Sequence, residues 1–256
     1  MLLILIKLAY KFWPKLFKKR FFKSLQSLKT KNFKCEPELL YLQSILKSDS
    51  TFIDIGTNKG IYLYQAEKSI KTGQIIGFEP NKKMVEFASK LFKTSKIYPL
   101  AISSKKGIAT LYIPKKGNEL QDTRASLEVI KDNVDKIEIE TITLDEWIFE
   151  KNINKIDVVK IDVEGHEFDV ILGCKMVMEK IKPIFIIEIE LRHANYPIQD
   201  IFEHIKGFDY SIFFFNRTSL TTEAFNSLDI ASFQKNEYLD DFNCYINNFI
   251  FIPNSK

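Results

Sequence analysis

Three carboxylates and a histidine crowd the end of one hydrophobic run. Asp162, Glu164, His166 and Glu167 follow Val158-Val159-Lys160-Ile161, separated only by Val163 and Gly165. Charged groups at the mouth of a buried strand are costly to hold and useful for proton transfer, since a carboxylate or imidazole within hydrogen-bond reach can take the proton of a hydroxyl as it reacts. Val158, Val159, Ile161 and Val163 are β-branched and nearly continuous, the pattern of a strand covered on both faces. In open α/β sheets ligands sit beyond the carboxyl ends of such strands. Asp162, Glu164 and His166 are therefore the candidate catalytic residues, with Asp162 or His166 as general base. Glu164 and Glu167 also suit a helix N-terminus electrostatically.

A second constellation lies upstream. Asp54-Ile55-Gly56-Thr57-Asn58-Lys59-Gly60 joins a strand at 52–55 to a helix at 61–70, and its two glycines let a ligand approach the backbone. The turn is not G-x-G-x-x-G, and Asp54 would repel a phosphate, whereas a cationic ligand suits it. Glu79 ends the next strand, at 74–78, where an acid can accept hydrogen bonds from both hydroxyls of a ribose. Acid, glycine turn and ribose acceptor together describe a positively charged adenosine compound, and the sulfonium S-adenosylmethionine fits.

These groups need a frame. Helical spacing is expected over 37–47, then strand 52–55, helix 61–70, strand 74–78, a helix capped by Asn81 and a third strand at 97–102. This β-α-β-α-β order is the first half of a doubly wound sheet, and the order 3-2-1-4-5 makes the first and fourth strands neighbours, so that Asp54 and Asp162 flank one crevice. An insert follows, with alternating strands at 107–113 and 137–143 joined by a polar loop in which Arg124 and Ser126 are weaker candidates for holding an acceptor. Beyond the central motif, a helix at 166–181, a strand at 184–189, a helix around 201–205 and strands at 210–215 and 245–252 complete the fold. Glu188, Glu190, Arg192 and His193, at the end of the fifth strand, could reach an acceptor, and His204 is read as a plain surface group.

Composition limits the alternatives. The chain has 256 residues, 45% of them hydrophobic, enough for the core of one α/β domain with little left for a second. Its net charge of +4 is unevenly spread: residues 1–34 carry 10 basic groups and no acid, leaving 27 basic against 33 acidic residues, a net of −6, in the body. An acidic body argues against nucleic acid as a partner. Cys35, Cys174 and Cys244 form no C-x-x-C pair, so neither a zinc site nor a disulfide framework is indicated, and a reducing cytoplasm is expected. Cys174 reads as a small core residue. The clustered acids could hold Mg²⁺, although no ligand spacing demands it.

The arm mixes lysines with Tyr10, Phe12, Trp13, Phe17, Phe21 and Phe22, and Lys7 interrupts its only apolar run, so it does not span a bilayer. Its composition is that of an interfacial helix at the inner face of the cytoplasmic membrane, kinked at Pro14; the alternative is a first helix packed on the domain.

Several segments resemble the FkbM family of S-adenosylmethionine-dependent methyltransferases in order and spacing. They are 52–60, Gly77-Phe78-Glu79-Pro80, Ala101-Ile102, Ala125-Ser126-Leu127, Thr143-Leu144-Asp145 and Val159 to Glu167. The likeness covers roughly residues 50–190, and the K-I-D-V-E-G-x-E string is its most specific part. It implies a class I methyltransferase (Rossmann-like) sheet of about seven strands with the last antiparallel, and O-methylation of hydroxyls on sugars, polyketides, other secondary metabolites or lipids. It places Asp54, Gly56, Asn58, Gly60, Glu79, Pro80 and Ala101 at the cofactor. The expected organisation is a basic amphipathic helical arm at 1–34 and a methyltransferase domain at 35–256. The expected function is O-methylation of a sugar in a glycan or glycolipid precursor. An NAD-dependent oxidoreductase and a non-catalytic membrane-surface binding protein are the alternatives.

Overall fold

Strand periodicity decides which side of each strand meets which helical layer. The computed structural model describes residues 18, 36–116, 119–120, 125–128, 133–194, 196–216, 218–226, 230–235, 237 and 245–255. In chain order its elements are α1 (Glu38–Ile45), β1 (Thr51–Ile55), α2 (Ile61–Ser69), β2 (Gln74–Phe78), α3 (Lys82–Leu91), β3 (Lys96–Tyr98), β4 (Ala101–Ile102), β5 (Gly107–Lys116), β6 (Glu119–Leu120), β7 (Val134–Ile142) and α4 (Leu144–Glu150). They continue with β8 (Val158–Ile161), α5 (Glu167–Leu172), a π-helical turn (Val177–Ile181), β9 (Ile184–Glu188), α6 (Ile198–Lys206), β10 (Tyr210–Asn216), β11 (Thr221–Ala224), a 3₁₀ turn (Ile230–Ser232) and β12 (Asn248–Pro253).

Among the described residues the main sheet runs β11-β10-β12-β9-β8-β1-β2-β3, with β3, β2, β1, β8 and β9 parallel and β12 antiparallel to both its neighbours. This is the expected 3-2-1-4-5 order with a late antiparallel strand, plus β11 as an eighth edge strand. One face carries Phe52, Val158, Ile186 and Ile250 against α1 and α2; the other carries Ile53, Val159, Phe185 and Phe249 against α5 and α6. Asn81 caps α3 by accepting from Lys83 N at 3.1 Å, and Thr143 and Glu146 form a capping box on α4.

Two expected elements divide. The strand at 97–102 becomes β3 in the main sheet and β4 in a second sheet, ordered β4-β7-β5-β6. Pro99, which has no N–H to give a ladder, sits at the division. The helix at 166–181 stops at Gly173, where a Cβ would lie 2.2 Å from the Ser103 carbonyl oxygen. The Asp145 carboxylate then accepts from Met176 N and Val177 N at 2.8 and 3.0 Å, starting the next turn from outside the helix. The last strand begins at Asn248, three residues later than expected.

Gly56 holds the sheet edge together. Its N–H and that of Thr57 both donate to Phe78 O at 3.0 Å, and Asp162 N donates to Ile55 O at 3.0 Å, so the tips of β1, β2 and β8 are tied. At φ +85° a Cβ on Gly56 would lie 1.8 Å from the Asp162 carbonyl oxygen. Gly56→Ala should therefore cost about 2–5 kcal/mol through left-handed strain and the forced separation of β1 from β8, read as a lower urea midpoint at unchanged m-value.

Candidate active site

The tied tips of β1, β2 and β8 form the floor of a cleft, and the second sheet supplies a wall. It encloses about 630 Å³ including its open mouth. Among the described residues its lining holds three carboxylates, Glu79, Asp162 and Glu164, together with Asn58, Ser126 and His166, and neither a lysine nor an arginine. The rest is largely apolar: Phe78, Pro80, Leu100, Ala101, Ile102, Leu111 and Leu127 flank the acids. Glu79 is fixed from both ends, Oε2 accepting from Asn58 N at 2.8 Å and Oε1 from Asn81 N at 2.9 Å. Asn58 takes φ +49°, and its buried Oδ1 has no hydrogen-bond partner among the described residues.

The loop after β8 is held as tightly. Glu164, at φ +54°, lies 2.7 Å (Oε2) from His193 Nδ1, and its carbonyl accepts from Ser126 Oγ at 2.6 Å. This bond to Glu164 raises the His193 pKa despite partial burial. Glu167 Oε1 accepts from Gly165 N and Val163 N at 3.0 and 3.3 Å, and Oε2 from Tyr196 OH at 3.0 Å. Burial raises its pKa. Glu167 thus staples the loop rather than facing the cleft.

His166 bridges three elements. Its Nε2 is 3.0 Å from Ser103 Oγ and its Nδ1 is 2.8 Å from Glu128 Oε1, with Asp169 Oδ2 at 3.7 Å. Glu128, His166 and Asp169 each bring one ligand-type atom within 4.8 Å of the others, but hydrogen bonds already account for the set, because Asp169 Oδ1 also accepts from Ser104 Oγ at 2.6 Å.

The structure brings some of the expected site residues to one cleft and sets others apart from it. Gly56, Asn58, Glu79, Pro80, Ala101, Asp162, Glu164, His166 and Ser126 line one cleft. Asp54 lies behind the rim, 2% exposed, and Gly60, at φ +82°, caps α2 against the Phe92 ring. Glu190 pairs with Arg192, and Asn247 Nδ2 donates to both Glu188 and Glu190 at 2.6 and 3.0 Å. His204 is not a plain surface group. It packs between the rings of Phe168 and Phe208, centroids 6.0 and 5.3 Å away, and burial lowers its pKa. Cys174 is in the core, as expected. Arg124, Cys35, Cys244 and all of the arm except Lys18 lie outside the described residues. Sequence reasoning missed Ser103, Glu128, Asn248 and, most visibly, Lys160, a lysine within a fully buried strand.

Residues 54–212 match the model of the methyltransferase FkbM domain. The chain belongs to the FkbM methyltransferase family. It is 25% identical over 180 residues to the 2-O-methyltransferase NoeI of Sinorhizobium fredii (strain NBRC 101917 / NGR234), an overlap covering 64% of this chain and 74% of that one. The crystal structure of methyltransferase FkbM from Methylobacillus flagellatus KT matches at 14% identity and a TM-score of 0.50. That match covers 86% of this chain and 51% of the other, so this chain spans about half of that protein's length. An O-methyltransferase from Bacillus cereus in complex with SAH aligns at 12% identity and a TM-score of 0.45, over 97% of this chain and 96% of that one.

This FkbM domain is an S-adenosylmethionine-dependent methyltransferase, and the nicotinamide-dependent alternative falls away. The cleft fits the donor: apolar walls suit a purine, Glu79 a ribose, and, among the described residues, a buried acceptor on Asn58 without a partner, with three acids and no cation in the lining, suits a positively charged ligand.

Burial pushes Asp54 up to about 8, with Lys160 opposing and Asp162 adding to the rise. An acid whose folded pKa is raised binds more protons folded than unfolded, so between its ordinary value near 4 and about 8 stability falls as pH rises. Asp54→Asn, which mimics the protonated form, should therefore melt above the wild type, by a margin that grows from pH 5 to pH 8; a margin that shrinks over that range would contradict the assignment.

Proposed function

We propose that this FkbM domain methylates a hydroxyl of a sugar in a glycan or glycolipid precursor. The observation that carries the reading is that Asp162, Glu164 and His166, groups able to accept a proton, line one cleft together with the ribose-type acid Glu79 and with no cation among its described lining residues. The named activity of the 25% identical relative, a 2-O-methyltransferase, supports hydroxyl chemistry.

Bound S-adenosylmethionine supplies an electrophilic methyl carbon on a sulfonium whose leaving group is already good, so the protein's work is alignment and proton removal. Gly56 gives the donor backbone access, Glu79 and Asn58 hold its ribose side, and Pro80 and Ala101 flank its base. Gly60 starts the helix behind the turn, and Asp54 sets the charge beneath it. Asp162 is the general base for the acceptor hydroxyl. His166, with Glu128 on one nitrogen and Ser103 on the other, orients the acceptor, and Glu164, braced by His193, binds its neighbouring hydroxyls.

The arm at 1–34 is proposed as a separate module that contacts the membrane surface. None of the described helices is long and apolar enough to cross a membrane. Lys18, the described residue of the arm, pairs with Glu67, donates to Leu91 O at 3.0 Å and lies 4.2 Å from the Phe92 ring centroid, which ties at least that point to the body.

Incubation with labelled S-adenosylmethionine and a panel of sugars and non-sugar alcohols tests the acceptor class. Label should enter a sugar hydroxyl, and Asp162→Asn should lower kcat by about 10²–10⁴-fold while moving donor Kd less than about tenfold. Methylation of non-sugar alcohols alone, or full kcat in Asp162→Asn, would refute the reading. Deletion of residues 1–34 should release the protein from anionic vesicles and leave donor affinity within about threefold; loss of both would refute the modular arm.

A further inference from the structure

Just below the rim, on the sheet face covered by α1 and α2, lies a row of ionisable groups. Asp54 on β1 pairs in register with Lys160 on β8, and Glu188 on β9 pairs with Asn248 on β12. Asp162 follows Lys160 by two residues. The Lys160 ammonium is wholly buried, donating to Ile161 O at 3.1 Å and Asn248 Oδ1 at 3.0 Å, with the Tyr62 ring centroid 5.0 Å away. Four charged groups act on Asp54: Lys160 and Asp162 from β8 and its end, Glu36 from the segment before α1, and Glu79 from the end of β2. Glu188 and Tyr62 close the row from β9 and α2 through the same lysine and Asp162.

One buried cation cannot balance Asp54, Asp162 and Glu188 all ionised in a medium of low polarity. Desolvation lifts Asp54 to about 8 and holds Glu188 well above the carboxylate range, with Asp162 raising it further. Burial alone would lower the Lys160 pKa, but Asp162, Glu188, Glu36 and Asp54 together outweigh it, and the lysine keeps its charge. Near neutral pH the row therefore stores a proton. Asp162 and Glu79 belong both to this environment and to the cleft wall, so a positive charge in the cleft acts on the row at short range.

We propose that the row is a proton store linked to the charge of the methyl donor: it gives up a proton when a sulfonium enters the cleft and takes one back when methyl transfer leaves a neutral thioether. The inference rests on the donor-cleft reading above. The step balances. The acceptor O–H bond breaks and its proton ends on a carboxylate of the row, with Asp162 the point of entry. The acceptor oxygen forms the new O–C bond, and the C–S bond breaks with its electron pair left on sulfur. One positive and one negative charge disappear together, so the buried site ends no more charged than it began.

Proton release can be read without any acceptor. Calorimetric titrations near pH 6.5, in two buffers of different ionisation enthalpy, compare S-adenosylmethionine with S-adenosylhomocysteine; at that pH the amino group of either ligand keeps its proton. S-adenosylmethionine should release about half a proton or more beyond S-adenosylhomocysteine. Below about pH 8 its Kd should fall with rising pH, by at most about tenfold per pH unit, while that of the thioether stays within about twofold. Asp54→Asn should abolish the difference and Glu188→Gln should reduce it. Equal proton counts for the two ligands in the wild-type protein, or a difference unchanged in both variants, would overturn the proposal. Failure of either ligand to bind at all would instead overturn the donor-cleft reading beneath it.

Discussion

A lysine buried among carboxylates is the constraint on which this site depends. Acids at the carboxyl ends of β1, β2, β8 and β9 gather in one region because parallel strands end together, and desolvation drives Asp54 and Glu188 to hold protons. Lys160 is the internal cation that makes the gathering tolerable. Its anchors, Asn248 Oδ1 and the Ile161 carbonyl, come from β12 and from its own strand. The late antiparallel strand between β9 and β10 is therefore more than sheet closure, because it delivers one of the groups that hold the ammonium.

Above this row the cleft inherits an acidic lining with no cation among its described residues. That asymmetry separates a sulfonium site from a pyrophosphate site more sharply than the glycine turn does. Gly56 lets the tips of β1 and β8 close to hydrogen-bonding distance, and Glu79 is locked by two backbone N–H groups. Preorganisation of this kind leaves little to rearrange on ligand binding. The second sheet contributes Ala101, Ile102 and Leu111, and the loop bridged to it at Ser126 adds Ala125, Ser126 and Leu127, so the insert completes one wall of the cleft.

Much of this was legible in the chain. The nearly continuous β-branched run of Val158, Val159, Ile161 and Val163 marked a buried parallel strand, and its adjacency to the strand at 52–55 followed from the 3-2-1-4-5 order, which brought Asp54 and Asp162 to one edge as expected. Which of them faces the cleft was not legible, because side-chain direction at a strand end depends on how the following turn closes: Asp162 lines the cleft and Asp54 is turned behind it. Partners distant in sequence were hidden for the same reason. Ser103 meets His166 across 63 positions and Asn248 meets Lys160 across 88, and no local pattern encodes either contact. Other signals were present and unread. Pro99 announced the split between β3 and β4. A charged residue within Val158-Val159-Lys160-Ile161 announced a buried partner network. Thr143 and Glu146 announced the capping box that begins α4.

The claim that a cationic adenosyl donor is held by the acids at this rim is most directly tested by titrating S-adenosylmethionine, and separately NAD, into the wild-type protein and Glu79→Ala. The account predicts that S-adenosylmethionine binds, that NAD does not, and that removing the Glu79 carboxylate weakens the donor by about 10–100-fold, as expected for lost charge-assisted hydrogen bonds. Unchanged donor affinity in Glu79→Ala, or tighter binding of NAD than of S-adenosylmethionine, would contradict it.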